Sequence, residues 1–108
     1  MKYTIGIDLG TSATKALLMD EQGVIVDSKS YKYPMYEPEN GWAEQDPKDW
    51  ENAVLTLLRQ LVSDADIPKE NITGIGLSGQ MHGLVMLDES NQLLRNSIIW
   101  CDQRAGKQ

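Results

Sequence analysis

Asp8 is the first residue whose surroundings give it chemistry, because it sits in Gly6-Ile7-Asp8-Leu9-Gly10-Thr11-Ser12. A glycine-centred turn can line up successive amide N–H groups as a concave anion site. Glycine also tolerates positive φ and lets a ligand approach the backbone closely. Thr11 and Ser12 add hydroxyl donors, and Lys15 adds a cation. The chemistry this pattern supports is phosphate binding. An ionised Asp8 beside that pocket would repel phosphate unless a divalent metal or its water shell stands between them, an arrangement that Mg²⁺ favours. A plain hairpin with an exposed acid is the competing reading of the same residues.

A second candidate is Ser78-Gly79-Gln80-Met81-His82-Gly83, whose two inner glycines can hold Gln80, Met81 and His82 out on a tight loop. Gln and His offer donors and acceptors for hydroxyl groups, and Met offers an adaptable apolar contact. An inert surface loop would look the same. Trp100, Asp102 and Arg104 form a third cluster that could line a polyol pocket, or be a core Trp followed by a cap and a solvated Arg. The acid-rich stretch from Glu37 to Asp46 reads as the approach to a helix rather than as a site. One His and one Cys cannot make a zinc cluster. Walker spacing is missing, and no Ser-His-Asp set can be argued.

The elements that must position these residues follow from periodicity. Tyr3, Ile5, Ile7 and Leu9 share one parity, and Thr4, Gly6 and Asp8 the other, so a strand sends the two sets to opposite faces. Asp8 then leaves the sheet on the face that Gly6 keeps clear. Ala13 to Asp20 is a second strand, which makes Gly10-Thr11-Ser12 a hairpin turn. Beyond the turn Asp20-Glu21-Gln22-Gly23, the third strand runs from Val24 to Tyr33 and drifts toward an edge as it turns polar, completing an antiparallel meander. Pro34 to Gln45 is loop. Asp46-Pro47 opens a helix as N-cap and first helical residue, with Asp49 in the first turn. Trp50, Val54, Leu57, Leu58, Leu61 and Val62 give it one apolar stripe to lay on the sheet. Asp64 to Asn71, with Pro68, ends it. Ile72 to Ser78 reads as a buried strand parallel to the first, since the helix is long enough to cross over. That places Gln80 just past a strand end, where ligands bind in α/β sheets. Leu84 to Leu87 is a further strand and Leu93 to Trp100 a pair of short ones. Asp102 to Gln108 reads as a first helical turn. The sum is an α/β layer with one mixed sheet.

Length and charge bound the rest. A chain of 108 residues is one domain or less, burying somewhat under about 70% of its unfolded surface. A net charge of −6 argues against nucleic acid as a partner. No apolar run reaches the roughly 18 residues of a membrane span, and the start lacks a signal-peptide pattern. Cys101 is the single cysteine, which fits a reducing cytosol and a cytoplasmic protein. In an apolar strand such a Cys is expected to be buried filler.

Taken in order, these stretches resemble the FGGY family of carbohydrate kinases. Ile7-Asp8-Leu9-Gly10-Thr11-Ser12 with Lys15 looks like the first phosphate motif of the actin, heat-shock-70 and sugar-kinase superfamily. Gly41-Trp42-Ala43-Glu44-Gln45-Asp46-Pro47, with Trp50, is similar to the family's pattern at the start of this helix. Gly79-Gln80-Met81-His82-Gly83 resembles the sugar loop of the family's xylulokinases, where glycerol kinases carry Arg-Glu in place of Met81-His82. Trp100-Cys101-Asp102-Gln103-Arg104 is similar to the family's Trp-x-Asp-x-Arg. The resemblance implies a ribonuclease H-like, actin-like ATPase domain of which residues 1–108 are the N-terminal part. It implies transfer of the γ-phosphoryl group of ATP to the 5-hydroxyl of D-xylulose, which depends on positioning and charge neutralisation. Carried over, Asp8 would act in the catalytic cleft and reach Mg²⁺ through water. Gly10, Thr11, Ser12 and Lys15 would hold phosphate. Gln80, Met81 and His82 would contact the ketose, and Asp102 and Arg104 would lie in the sugar cleft.

Members of the family are several-fold longer, and their aspartate base, second phosphate motif and adenosine motif have no equivalent here. The expectation is an N-terminal segment that does not turn over alone. Edges and faces meant for the rest of the domain would then favour a homodimer or other self-association. Kinases for ribulose, gluconate or fuculose stay open as alternatives, as does a non-catalytic nucleotide-binding protein on the actin-like fold.

Overall fold

The computed structural model describes residues 1–80 and 83–104. Strand β1 (Tyr3–Leu9) turns into β2 (Ala13–Asp20), which turns into β3 (Ile25–Lys32). A two-residue strand β4 (Glu44–Gln45) precedes helix α1 (Pro47–Asp64), and a single 3-10 turn over Lys69–Asn71 leads into β5 (Ile72–Gly79). The last strand is β6 (Ser97–Ile98). The main sheet has the order β3-β2-β1-β5, with β1 antiparallel to β2 and parallel to β5. The meander, the crossover helix and the parallel strand all stand as the sequence pattern requires.

Helix α1 begins where Asp46 caps it, its carboxylate accepting the Lys48 N–H at 2.9 Å with Pro47 behind it. Cap and proline together satisfy or remove N–H groups that the first turn would otherwise leave unpaired. The helix lies across β2 and β3. Leu57 and Leu61 are buried against Ile5, Ile7, Ala16 and Leu18. The stripe differs from expectation at its start. Ala53 is the buried residue there, and Trp50 is only half-buried, its indole committed to a hydrogen bond rather than to the core.

Three further readings are corrected. β5 is not buried: Ile75 and Leu77 share the α1 face with Ile5 and Ile7 but are 55% and 73% exposed, because α1 lies across β2 and β3 and leaves the β5 edge uncovered. Leu84 to Leu87 makes no strand, only isolated bridges from Leu84 to Ile98 and from Leu87 to Leu93. Cys101 lies in a turn, half-buried, with Sγ 3.7 Å from Met35 Sδ. The helical turn expected over Asp102–Gln108 falls largely outside the described residues. The radius of gyration is 16.6 Å, against about 13 Å for a compact domain of this length.

Candidate functional site

The face of the sheet that α1 leaves open carries Asp8. Register pairs Gly6 with Leu17 and Asp8 with Lys15 across the hairpin, and Gly6 with Gly76 and Asp8 with Ser78 on the parallel side. These residues, with Ser28, Ser30 and Ile25 from β3, line a cleft of about 830 Å³. Its floor is low because Gly6 and Gly76 have no side chain to fill it. Asp8 and Lys15 are both exposed, and no ion pair joins them among the described residues. The parity argument holds: Asp8 stands on the side that Gly6 keeps clear, outside the packed interior.

The turn Gly10-Thr11-Ser12 is pinned from several sides. Gly10 donates its N–H to the Ala13 carbonyl at 2.9 Å, and a Cβ on Gly10 would meet that same oxygen at 2.9 Å. The glycine is therefore required by close approach. Positive φ, the other reason to expect it, is confined among glycines to Gly23 and Gly41 of the described residues. The Tyr33 hydroxyl donates to the Gly10 carbonyl and lies 3.1 Å from Thr14 Oγ1. Burial of Tyr33, with the Asp8 charge adding to it and the Thr14 bond opposing, raises its phenol above the usual range. The Thr11 and Ser12 amides donate to no other described residue, so they are available to an anion. That is the arrangement a phosphate cradle needs.

Gln45 joins this turn to the second candidate loop. Fully buried, it donates from Nε2 to the Thr11 carbonyl and accepts at Oε1 from Trp50 Nε1 at 3.1 Å and from Gln80 Nε2 at 2.8 Å. The Gln80 backbone N–H is tied to the Leu9 carbonyl at 2.9 Å, extending the β1–β5 pairing by one residue. Met81 and His82 lie outside the described residues. Trp100 completes the group: 58% exposed, it is no core residue, and its Nε1 donates to Thr11 Oγ1 at 3.0 Å.

Asp102 and Arg104 belong to a neighbouring ion-pair cluster. Asp102, its side chain 3% exposed, accepts the Ala43 N–H at 2.7 Å and lies 2.7 Å from Arg104 Nη2. Arg104 also reaches Glu44 Oε2 at 2.6 Å, where Arg95 meets it at 2.5 Å, and its guanidinium stacks 3.9 Å over the Trp42 ring. The Arg104 fork, with the Ala43 amide, holds the Asp102 carboxyl down to about 2. The same carboxylates raise Arg104 above its ordinary value.

Sequence reasoning missed Tyr33, Thr14, Glu44, Gln45 and Arg95. Gln45 and Glu44 carried a signal: they are consecutive polar residues between an apolar Ala43 and a helix cap, and strand geometry sends them to opposite sides. Metal ligation is more limited. Among the described residues no group of three or more His, Cys, Asp or Glu side chains comes together to hold a metal ion. A single exposed Asp8 fits an ion that keeps most of its water and takes only one or two carboxylates.

The sheet order, with its antiparallel meander, crossover helix and parallel fourth strand, is that of the ribonuclease H-like, actin-like ATPase fold, and the open turn stands at the end of its first strand. Residues 3–108 match the FGGY family of carbohydrate kinases, N-terminal domain. The chain belongs to that family. It is 46% identical over 108 residues to a xylulose kinase of Bacillus subtilis, covering all of this chain and 22% of the relative. Among solved structures, the ligand-bound xylulose kinase from Lactobacillus acidophilus superimposes with a TM-score of 0.91 at 41% identity, over 99% of this chain and 21% of that one. A gluconate kinase from Lactobacillus acidophilus does so at 0.90 and 42%, over 98% and 21%. The chain thus spans about a fifth of the length of these relatives.

Proposed function

We propose that this chain is the N-terminal part of the first actin-like domain of an ATP-dependent kinase that phosphorylates D-xylulose to D-xylulose 5-phosphate. The observation that carries the reading is the convergence on Thr11. Its carbonyl bonds Gln45, which bonds Gln80, and its hydroxyl bonds Trp100, so a phosphate-type turn and a polyol-type loop stand side by side. Transfer between a nucleotide and a sugar needs that adjacency, because catalysis of this kind is positioning and charge neutralisation.

In this reading the free amides of Thr11 and Ser12, the close-approach Gly10 and the Lys15 cation hold phosphate oxygens. Asp8 faces the cleft as a water-mediated ligand of Mg²⁺, which when bound would offset phosphate charge. Gln80, Met81 and His82 contact the sugar. Asp102 and Arg104 border the sugar cleft, and their saturated ion-pair cluster supports a bracing part there. The base that deprotonates the sugar hydroxyl, and the remaining nucleotide contacts, belong to the further length its relatives have.

Coupled ADP release with D-xylulose and Mg-ATP tests this. A protein extended to its relatives' length should turn over, and the 108-residue chain should not. Turnover above background by the short chain would sink the assignment of the base. A second reading, a kinase for gluconate or another sugar, is favoured by the near-equal superposition of the gluconate kinase; a panel of ketoses, polyols and aldonic acids ranks the two. The exposed β5 edge with Ile75 and Leu77 supports self-association of the short chain. Sedimentation should show a dimer or larger species, and a monodisperse monomer at high concentration counts against it. No helix among the described residues is long and apolar enough to cross a membrane; we place the enzyme in the cytoplasm.

A further inference from the structure

Two amides and one indole fix each other's orientation between the phosphate turn and the sugar loop. An amide side chain can usually be turned by half a rotation, exchanging a donor for an acceptor at little cost in shape. Gln45 lacks that freedom. An indole N–H can only donate and a carbonyl can only accept. Trp50 Nε1 lies 3.1 Å from Gln45 Oε1, and the Thr11 carbonyl accepts from Gln45 Nε2. Turning Gln45 over would set donor against donor at Trp50 and acceptor against acceptor at Thr11, in a side chain with no exposure to water. Unmade bonds are expensive there.

The constraint passes outward. Gln45 Oε1 also accepts from Gln80 Nε2 at 2.8 Å. Because that oxygen cannot donate, Gln80 must offer its NH₂ group, and its own Oε1 is left over. Gln80 Oε1 has no hydrogen-bond partner among the described residues although it is buried from solvent. A buried carbonyl oxygen without a partner is uncommon and calls for one.

We propose that Gln45 is a positioning residue: held by Trp50 and Thr11, it locks the Gln80 amide with Oε1 free as an acceptor, so that the loop recognises a hydroxyl donor of the substrate. The ligand class rests on the kinase reading above; the lock does not. Trp50 acts through Gln45 and touches no substrate. The lock also ties the acceptor to the turn, since the group that orients Gln80 is the one that holds Thr11.

The first test uses the 108-residue chain, labelled with ¹³C and ¹⁵N, and reads scalar couplings across hydrogen bonds. A coupling between Gln80 Nε2 and the Gln45 side-chain carbonyl is expected. The reverse coupling, from Gln45 Nε2 to the Gln80 carbonyl, or neither, overturns the lock. The second test uses the protein extended to its relatives' length, with Trp50→Phe, Gln45→Leu and the double variant. One orienting hydrogen bond changes an equilibrium about 2- to 10-fold, so Trp50→Phe should raise the sugar KM by about that factor and leave the nucleotide KM unchanged. The double variant should match Gln45→Leu alone, because Trp50 has no route to the sugar except Gln45. Equal rises in both KM values, or additive effects, would mark a general structural role and overturn the proposal. A wild-type protein that phosphorylates no polyol overturns the kinase reading and the ligand class named here, while the couplings still judge the lock.

Discussion

Replacing Gly10 by alanine separates the steric account of the Gly10-Thr11-Ser12 turn from a conformational one. The added Cβ would stand 2.9 Å from the Ala13 carbonyl oxygen, nearer than real Cβ contacts come. That oxygen cannot retreat cheaply, because it accepts the Gly10 N–H at 2.9 Å and belongs to the hairpin backbone. Losing the bond costs about 0.5–1.5 kcal/mol, and forcing the backbone apart adds about 1–3 kcal/mol. The stiffer unfolded chain of the alanine variant offsets about 0.4–1 kcal/mol. A net loss of about 0.5–4 kcal/mol follows from these terms. At about 4–8 °C per kcal/mol for a small domain, the midpoint should fall by roughly 2–30 °C. Thermal melts followed by far-ultraviolet circular dichroism read this directly. Gly76→Ala is the control: nothing lies within 4 Å of its added Cβ, which enters the open cleft. It should melt at or slightly above wild type. If Gly10→Ala melts with wild type, or Gly76→Ala falls as far, the close-approach argument is wrong.

Two predictions concern the neighbouring ion pairs. Arg104→Ala should destabilise the chain more than Arg95→Ala, since Arg104 serves Glu44, Asp102 and the Trp42 ring while Arg95 serves Glu44; Arg104→Lys should not restore stability, because an ammonium lacks the planar fork. Denaturant midpoints of the three variants decide the order. Acid sensitivity follows from Asp102, whose carboxyl is held at about 2 in the folded chain against an ordinary 3.8. Between those values the unfolded chain binds the extra proton, so Asp102 stabilises fully above pH 3.8 and loses that contribution as pH falls toward about 2. Melting temperature against pH should show this limb in wild type and a shallower one in Asp102→Asn.

The elements were legible wherever one local rule governed. The hairpin and the Asp46-Pro47 start of α1 each follow from residues within a few positions of one another, and the crossover to a parallel β5 follows from the length of α1. Burial was less legible. Ile75 and Leu77 look like core residues by type, yet their exposure depends on which strands α1 crosses, and periodicity within the helix says nothing of that. Leu84 to Leu87 has strand composition but finds only single bridges. Asp8, the turn and Gln80 could be named from their neighbours in sequence. Gln45 showed only as a polar residue beside a helix cap, because the partners that give it its role lie 34 and 35 residues away as well as five. A residue whose role is to join distant segments leaves little local trace.

The placement of the core explains why such joints are needed. Ile5, Ile7, Ala16 and Leu18 pack under α1 on one side of the sheet, while Asp8 and Lys15 stand on the other. Apolar packing fixes the strands but does not reach the turn, the Gln80 loop or the segment from Trp100 to Arg104. Those are held by β4, a strand of two residues whose ladder with β6 is too short to be rigid by itself. Its two side chains divide the task. Glu44 gathers Arg95 and Arg104, and Gln45 gathers Thr11, Trp50 and Gln80. Polar contacts suit this better than apolar ones, since a directional bond specifies an angle and a donor sense while a methyl group specifies only a volume. The same directionality makes the site intolerant: replacing Gln45 by an apolar residue of similar size preserves packing and still loses the three side-chain bonds that orient Thr11, Trp50 and Gln80 toward one another.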